Sequence, residues 1–323
     1  MRTISYTALF VICCSVSVVL TAAARDEQGA RRTDRSAARR SEQIVVLSSE
    51  GVVWSASAVG RRTVSGTWNC LMVKILMDRG QRLENTNMLH MAVWKPDEGR
   101  PYFGNFPPPW PVPAMEEQGS KWIVCLGDVD AELHYAWESR LERLPVLQVW
   151  PYSERMAKDY ELVDRHIKQG EDLESLLSIL QEEETFGREF AIYAGYVIFE
   201  IGSEESVDMK RRCATLLYGK DLPTALRELL VLPVWDYVRS QYEMSPKEVE
   251  VCLDACLGIA MDPSFSQMTT ARWVEDTLLY LLDKHGGVQL IDHDRYDVKK
   301  ILESLRSRKG EKAERLIEIL EKL

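Results

Sequence analysis

Two short constellations in this 323-residue chain carry residue types that could do chemistry. In the first, Asp128, Asp130, Glu132 and His134 recur at every second position, a spacing that would set all four on one face of a strand. Carboxylates with an imidazole can coordinate a divalent cation, and Asp128, Asp130 and His134 are the candidate ligands. The set has a single histidine and no thiolate nearby, however, and acids just after a strand ordinarily form turns. A solvated turn is the expected role, and no metal or cofactor is expected. In the second, Asp292, His293, Asp294 and Asp297 precede an apolar-periodic segment that opens at Val298. Acids there cap free amides and face the positive end of a helix dipole. Neither cluster has a serine, cysteine or threonine in a nucleophile motif beside it, so His293 would have nothing to activate. A hydrolase is the enzymatic alternative, and it would need Asp130, His134 and His293 to meet in one pocket. No catalytic residue is expected.

Aromatic residues offer a different chemistry. Trp54, Trp68, Trp94, Trp110, Trp122, Trp137 and Trp150 place seven of the nine tryptophans in the first half of the chain. Exposed indoles stack on sugar rings or peptide side chains, and a row formed by Trp94, Trp110 and Trp137 would make a glycan-binding surface. Burial in a small β core is the more ordinary fate of tryptophan. The tract Phe106 to Pro113, with five prolines around Trp110, favours polyproline II and reads as a stiff connector or as a ligand for an aromatic groove.

The cysteines point away from a disulfide framework. Cys70, Cys125, Cys213, Cys252 and Cys256 follow the apolar start of the chain, and an odd number does not complete a set of bridges. Cys252 and Cys256 share a helical stripe with Val249, Leu253, Leu257 and Ala260, and Cys213 shares one with Met209, Leu216 and Leu217. These three are expected to be small core residues. Cys70 and Cys125 lie in separate strand candidates and form the one disulfide pair to be tested.

The elements that must position these residues fall into four stretches. Arg2, the apolar run Leu9 to Leu20 and Ala22-x-Ala24 read as a signal peptide over 1–24. The run from Ile4 to Ala24 also approaches the roughly 20 residues of a membrane span, so an anchor through 4–24 is the alternative. Residues 25–42, rich in Arg, Ser and Ala, read as a disordered linker. From 43 to 152 short runs of Val, Ile, Trp, Tyr and Cys alternate with turn residues, which predicts strands at Ile44 to Leu47, Gly51 to Val59, Thr67 to Leu76, Leu89 to Trp94, Trp122 to Leu126 and Val146 to Trp150. In the third of these, Leu71, Val73 and Ile75 alternate with Trp68, Cys70 and Met72, so the strand is expected to need cover on both faces. From 153 to 323 the apolar period is 3.6. Ser245, Pro246 and Glu248 form a capping box ahead of a helix over Lys247 to Met261. Further helices are predicted around Trp273 to Leu282, around Val298 to Leu305, and at Ala313 to Leu320.

The fold class is therefore α+β, a small antiparallel β-barrel followed by an all-α domain. The order of features from Ile44 to Trp150 resembles a family of exported bacterial proteins of unknown function with an OB-like barrel of the tissue-inhibitor or netrin type. The resemblance rests on Ile44-Val45-Val46-Leu47 with Gly51-Val52-Val53-Trp54, then on Trp68 to Leu76, Gly119 to Leu126 and Val149-Trp150-Pro151-Tyr152-Ser153. It implies export and an OB-like barrel ahead of a helical tail. The metalloprotease inhibition of the eukaryotic relatives uses a cysteine at the mature N-terminus, which has no counterpart here. A formal net charge of -10 opposes nucleic acid and anionic lipid as partners. The expected function is that of an exported, non-enzymatic binding or scaffolding module for a protein or peptide, with glycan binding as the alternative. A membrane is a partner only if the leader is retained.

Overall fold

The computed structural model describes residues 37–54, 63–79, 88–96, 115–127, 146–201, 206–241, 243–284, 291 and 296–322. The chain forms two compact units, Met1–Ser153 and Glu154–Leu323. It is an α+β protein, with an antiparallel sheet followed by helices.

After one helical turn at Ala37–Arg40 come β1 (Gln43–Trp54), β2 (Thr63–Asp78), β3 (Met88–Pro96), β4 (Lys121–Leu126) and β5 (Val146–Pro151). Their order in the sheet is β3-β2-β1-β4-β5, all neighbours antiparallel. The two strands expected at Ile44 to Leu47 and Gly51 onward are one strand. Gly51, at φ 104°, does not turn the chain but accommodates a bulge, where the register with β2 shifts between Ser49 and Gly51. Ser49 anchors that bulge from inside: its Oγ donates to the Met115 carbonyl at 2.6 Å and accepts from Trp68 Nε1 at 2.8 Å and from the Gly51 amide at 3.1 Å.

One side of the sheet carries a core of Val45, Leu47, Trp68, Cys70, Leu89 and Val124. Trp68 and Trp122 pack edge to face there, 6.0 Å between centroids. Trp54 covers Gly66 so closely that a Cβ would lie 2.6 Å from its ring. On the second face of β2, expected to need cover, Leu71, Val73 and Ile75 are 38%, 51% and 36% exposed, and Met88, paired with Leu71, is exposed too.

The second unit contains α1 (Glu154–Lys168), α2 (Leu173–Glu182), α3 (Arg188–Glu200), α4 (Val207–Gly219), α5 (Thr224–Leu229), α6 (Val231–Ser240), α7 (Pro246–Ala260), α8 (Ala271–Lys284), α9 (Val298–Arg306) and α10 (Glu311–Leu320). The capping box of α7 is formed as expected, with Ser245 Oγ accepting from the Glu248 amide and Glu248 Oε2 accepting from the Ser245 amide at 2.9 Å. Asp297 caps α9 through the Lys300 amide at 3.2 Å. Among the described residues no helix is long and apolar enough to cross a membrane.

Candidate functional site

Several polar groups of the helical unit hold helix ends. Asp159 on α1 accepts from the Gly187 amide at 2.6 Å and the Glu189 amide at 3.0 Å, so it caps α3, whose own N-cap residue has no side chain. Burial pushes the Asp159 carboxyl up while the amides of Gly187, Phe190 and Glu189 draw it down. Burial likewise pushes Glu189 up, and the charge of Asp159 adds to that. Glu228 on α5 accepts from the Thr269 amide at 2.7 Å and the Thr270 amide at 3.2 Å, just ahead of α8. His166, fully buried at the end of α1, donates from Nε2 to the Asp172 carbonyl at 2.8 Å and meets the Tyr193 hydroxyl through Nδ1 at 2.8 Å. That bond closes a tight connection in which Glu171 adopts φ 55°.

A second set of charges joins helices side by side. Glu275, Asp276 and Asp283 on α8 pair with Arg308, Lys312 and Arg315 at and along α10. Lys210 of α4 is 2% exposed and lies 5.3 Å above the Tyr237 ring, whose hydroxyl donates to Glu248 at 2.6 Å. Burial pushes its ammonium below the usual value against the pull of Glu248.

Among the described residues, a cleft of about 410 Å³ opens within the helical unit. Its walls come from the last turns of α4 (Ala214, Thr215, Tyr218) and α7 (Asp254, Gly258). Its rim comes from Asp221, from Asp262 and Pro263, and from Tyr296 and Lys300 at the start of α9. The C-terminal ends of α4 and α7 thus meet at one opening, each with a partial negative charge of about half a unit. Arg227 binds there: its guanidinium donates to the carbonyls of Leu222 at 3.3 Å and Lys220 at 2.7 Å, and pairs with Asp262 at 3.3 Å. Asp254 pairs with Arg211 at 3.5 Å and its carbonyl accepts from the Tyr296 hydroxyl at 3.3 Å. Asp221 is exposed at the rim and has no hydrogen-bond or ionic partner among the described residues.

Most of the residues singled out in sequence fall outside what the structure describes. Asp128, Asp130, Glu132, His134, Asp292, His293, Asp294, Trp110, Trp137 and the proline tract lie outside the described residues, as does the side chain of Trp94. Among the described residues no three acid, histidine or cysteine side chains gather as a metal site.

Cys70 and Cys125 are both buried and form no disulfide with each other. Strand β1 lies between them, with Cys70 opposite Ser49 and Cys125 opposite Ile44. Two strand spacings alone separate them by about 9 Å, beyond the roughly 7 Å that a disulfide spans between Cα atoms. Cys213, Cys252 and Cys256 are buried as the helical stripes predict. Burial pushes the thiols of Cys213 and Cys256 up to about 12, so neither is a thiolate nucleophile at neutral pH.

Sequence reasoning missed the cleft, since its residues come from four separate segments. It also missed the half-buried pair Trp235 and Trp273, stacked at 6.4 Å and 14° in the helical unit. No protein-family model, curated protein or solved structure matches the chain. The geometry of the helical unit therefore bears the functional argument.

Proposed function

We propose that this chain is an exported, non-enzymatic binding module whose helical unit receives a peptide segment of a partner protein in the cleft between α4 and α7. The observation that carries this reading is the cleft itself. It is concave, lined by Tyr218 and Tyr296, and includes Asp221, an exposed acid with no helix-end or ionic partner among the described residues. Pockets with apolar or aromatic walls and a few polar groups are the usual form of a ligand site. Elsewhere in the helical unit Asp159 and Glu228 hold helix ends and Glu275 is paired with Arg308, and the described thiols are buried.

The β unit is read as an OB-like barrel. Five strands in the order β3-β2-β1-β4-β5 support this, since an OB fold is a five-stranded, partly open Greek-key barrel, and contact between β3 and β5 would close it. Export rests on the leader pattern at residues 1–24.

The test is titration of a mixed hexapeptide array with the full chain and with Gly258→Leu. A Cβ at Gly258 meets only Tyr218 at 3.8 Å, so the larger side chain fills the cleft without breaking α7. Saturable binding that Gly258→Leu removes supports the reading. Binding that survives it, or binding to no peptide, overturns it.

A further inference from the structure

We propose that the ligand of this cleft is a basic side chain, an alkyl-guanidinium or alkyl-ammonium presented by an extended peptide; this inference rests on the reading of the cleft as a peptide site. The cleft already demonstrates the chemistry with a group of its own. Arg227 is held at the cleft wall by the Tyr218 carbonyl in the last turn of α4 at 3.5 Å, by the Lys220 and Leu222 carbonyls just past it, and by the Asp262 carboxylate. Carbonyls at the end of a helix are left without intrahelical donors, and they favour cations because the dipole is negative there. Two such ends, those of α4 and α7, open onto the same space.

The lining itself carries one more acid than base. Asp221, Asp254 and Asp262 line the cleft against Arg227 and Lys300. Arg227 satisfies Asp262, and Arg211 reaches Asp254 from outside the lining. Asp221 is left as the acid at the mouth without a partner among the described residues. Lys300 is an exposed cation of the lining whose ionic contact among the described residues is with Asp297 at 3.9 Å, so it competes for this space. Tyr218 and Tyr296 are among the lining residues, and the aliphatic stem of an arginine or lysine packs on such apolar surface while the charged head stays at the polar end. Tyr218 is held rigidly for this by its hydroxyl bond to the Leu230 carbonyl at 2.9 Å.

The chemistry has two sources, a side chain of a peptide and a free alkyl cation, and the experiment separates them. Hexapeptides that differ at one central position (Arg, Lys, norleucine or Glu) are titrated calorimetrically into the full chain, with n-butylguanidine as the free cation. The expected order is Arg and Lys above norleucine, with Glu weakest and n-butylguanidine at least tenfold weaker than the Arg peptide. Asp221→Asn is expected to weaken the Arg peptide about threefold, and Lys300→Ala to strengthen it, which a merely structural role for Lys300 would not do. Equal affinity for norleucine and Arg, lost in Gly258→Leu, overturns the ligand class and leaves the peptide site standing. Equal affinity for n-butylguanidine and the Arg peptide shows a site for small amines and overturns the peptide source. Absence of binding by every probe overturns both readings.

Discussion

Asp159 shows how a single buried carboxylate can replace a missing local signal. Gly187 opens α3 without a side-chain cap, and a Cβ there would lie 2.3 Å from Asp159 Oδ2. Gly187→Ala is therefore expected to cost about 2 kcal/mol through that collision, and Asp159→Ala about 2 kcal/mol through loss of the cap, both read from urea midpoints. Asp159 and Glu189 also make stability depend on pH. Burial raises both carboxyls in the native state, so the native state holds protons that the unfolded chain releases near pH 4. Their contribution favours the native state at acid pH and is lost as pH rises through the raised native values. Asp172 acts in the opposite sense, because the Ser175 bonds hold it low. Comparison with Glu189→Gln isolates the buried acid: the variant is expected to show a flatter fall in the urea midpoint from pH 4 to 7. An unchanged slope would contradict the assignment. Lys210→Met, which removes a buried ammonium whose desolvation outweighs its Glu248 attraction, is expected to raise stability at neutral pH by about 1 kcal/mol.

Helices and strands were legible in proportion to how local their signals are. The box of Ser245, Pro246 and Glu248 spans one turn, and α7 begins there. Asp297 likewise sits one turn from the amide it caps. The cap on α3 comes from a residue in another helix, and the one ahead of α8 comes from Glu228, so neither leaves a mark in the local sequence. Gly51 misled for a related reason. A glycine between two apolar runs suggests a turn, but whether it turns or bulges is decided by Ser49, Trp68 and Met115, which meet only in the folded sheet. The ladder between α8 and α10 makes a prediction at this scale. Glu275, with a side chain 8% exposed, pairs with Arg308, also shielded at 20%, whereas Lys312, which pairs with Asp276, is 56% exposed. Glu275→Ala is expected to cost about 3 kcal/mol by leaving a shielded guanidinium unpaired, and Lys312→Ala less than about 1 kcal/mol. Equal costs in thermal or urea unfolding would show that burial does not grade the ladder.

At the scale of the whole molecule, the α+β division was legible because the apolar period changes from 2 to 3.6 where β5 gives way to α1. The candidate site was not, because Tyr218, Asp221, Gly258, Asp262 and Lys300 come together only through the packing of α4, α7 and α9. The tryptophan count drew attention to the β unit, where Trp68 and Trp122 turned out to be core. The competing surface there is the exposed set Leu71, Val73, Ile75 and Met88. The most direct test of the account is backbone-amide NMR of the full chain during titration with the Arg hexapeptide. The account predicts shifts concentrated at Thr215 to Asp221, at Gly258 to Asp262 and at Lys300. Shifts confined to β2 and β3 around Leu71 and Met88 would contradict it and move the binding surface to the sheet.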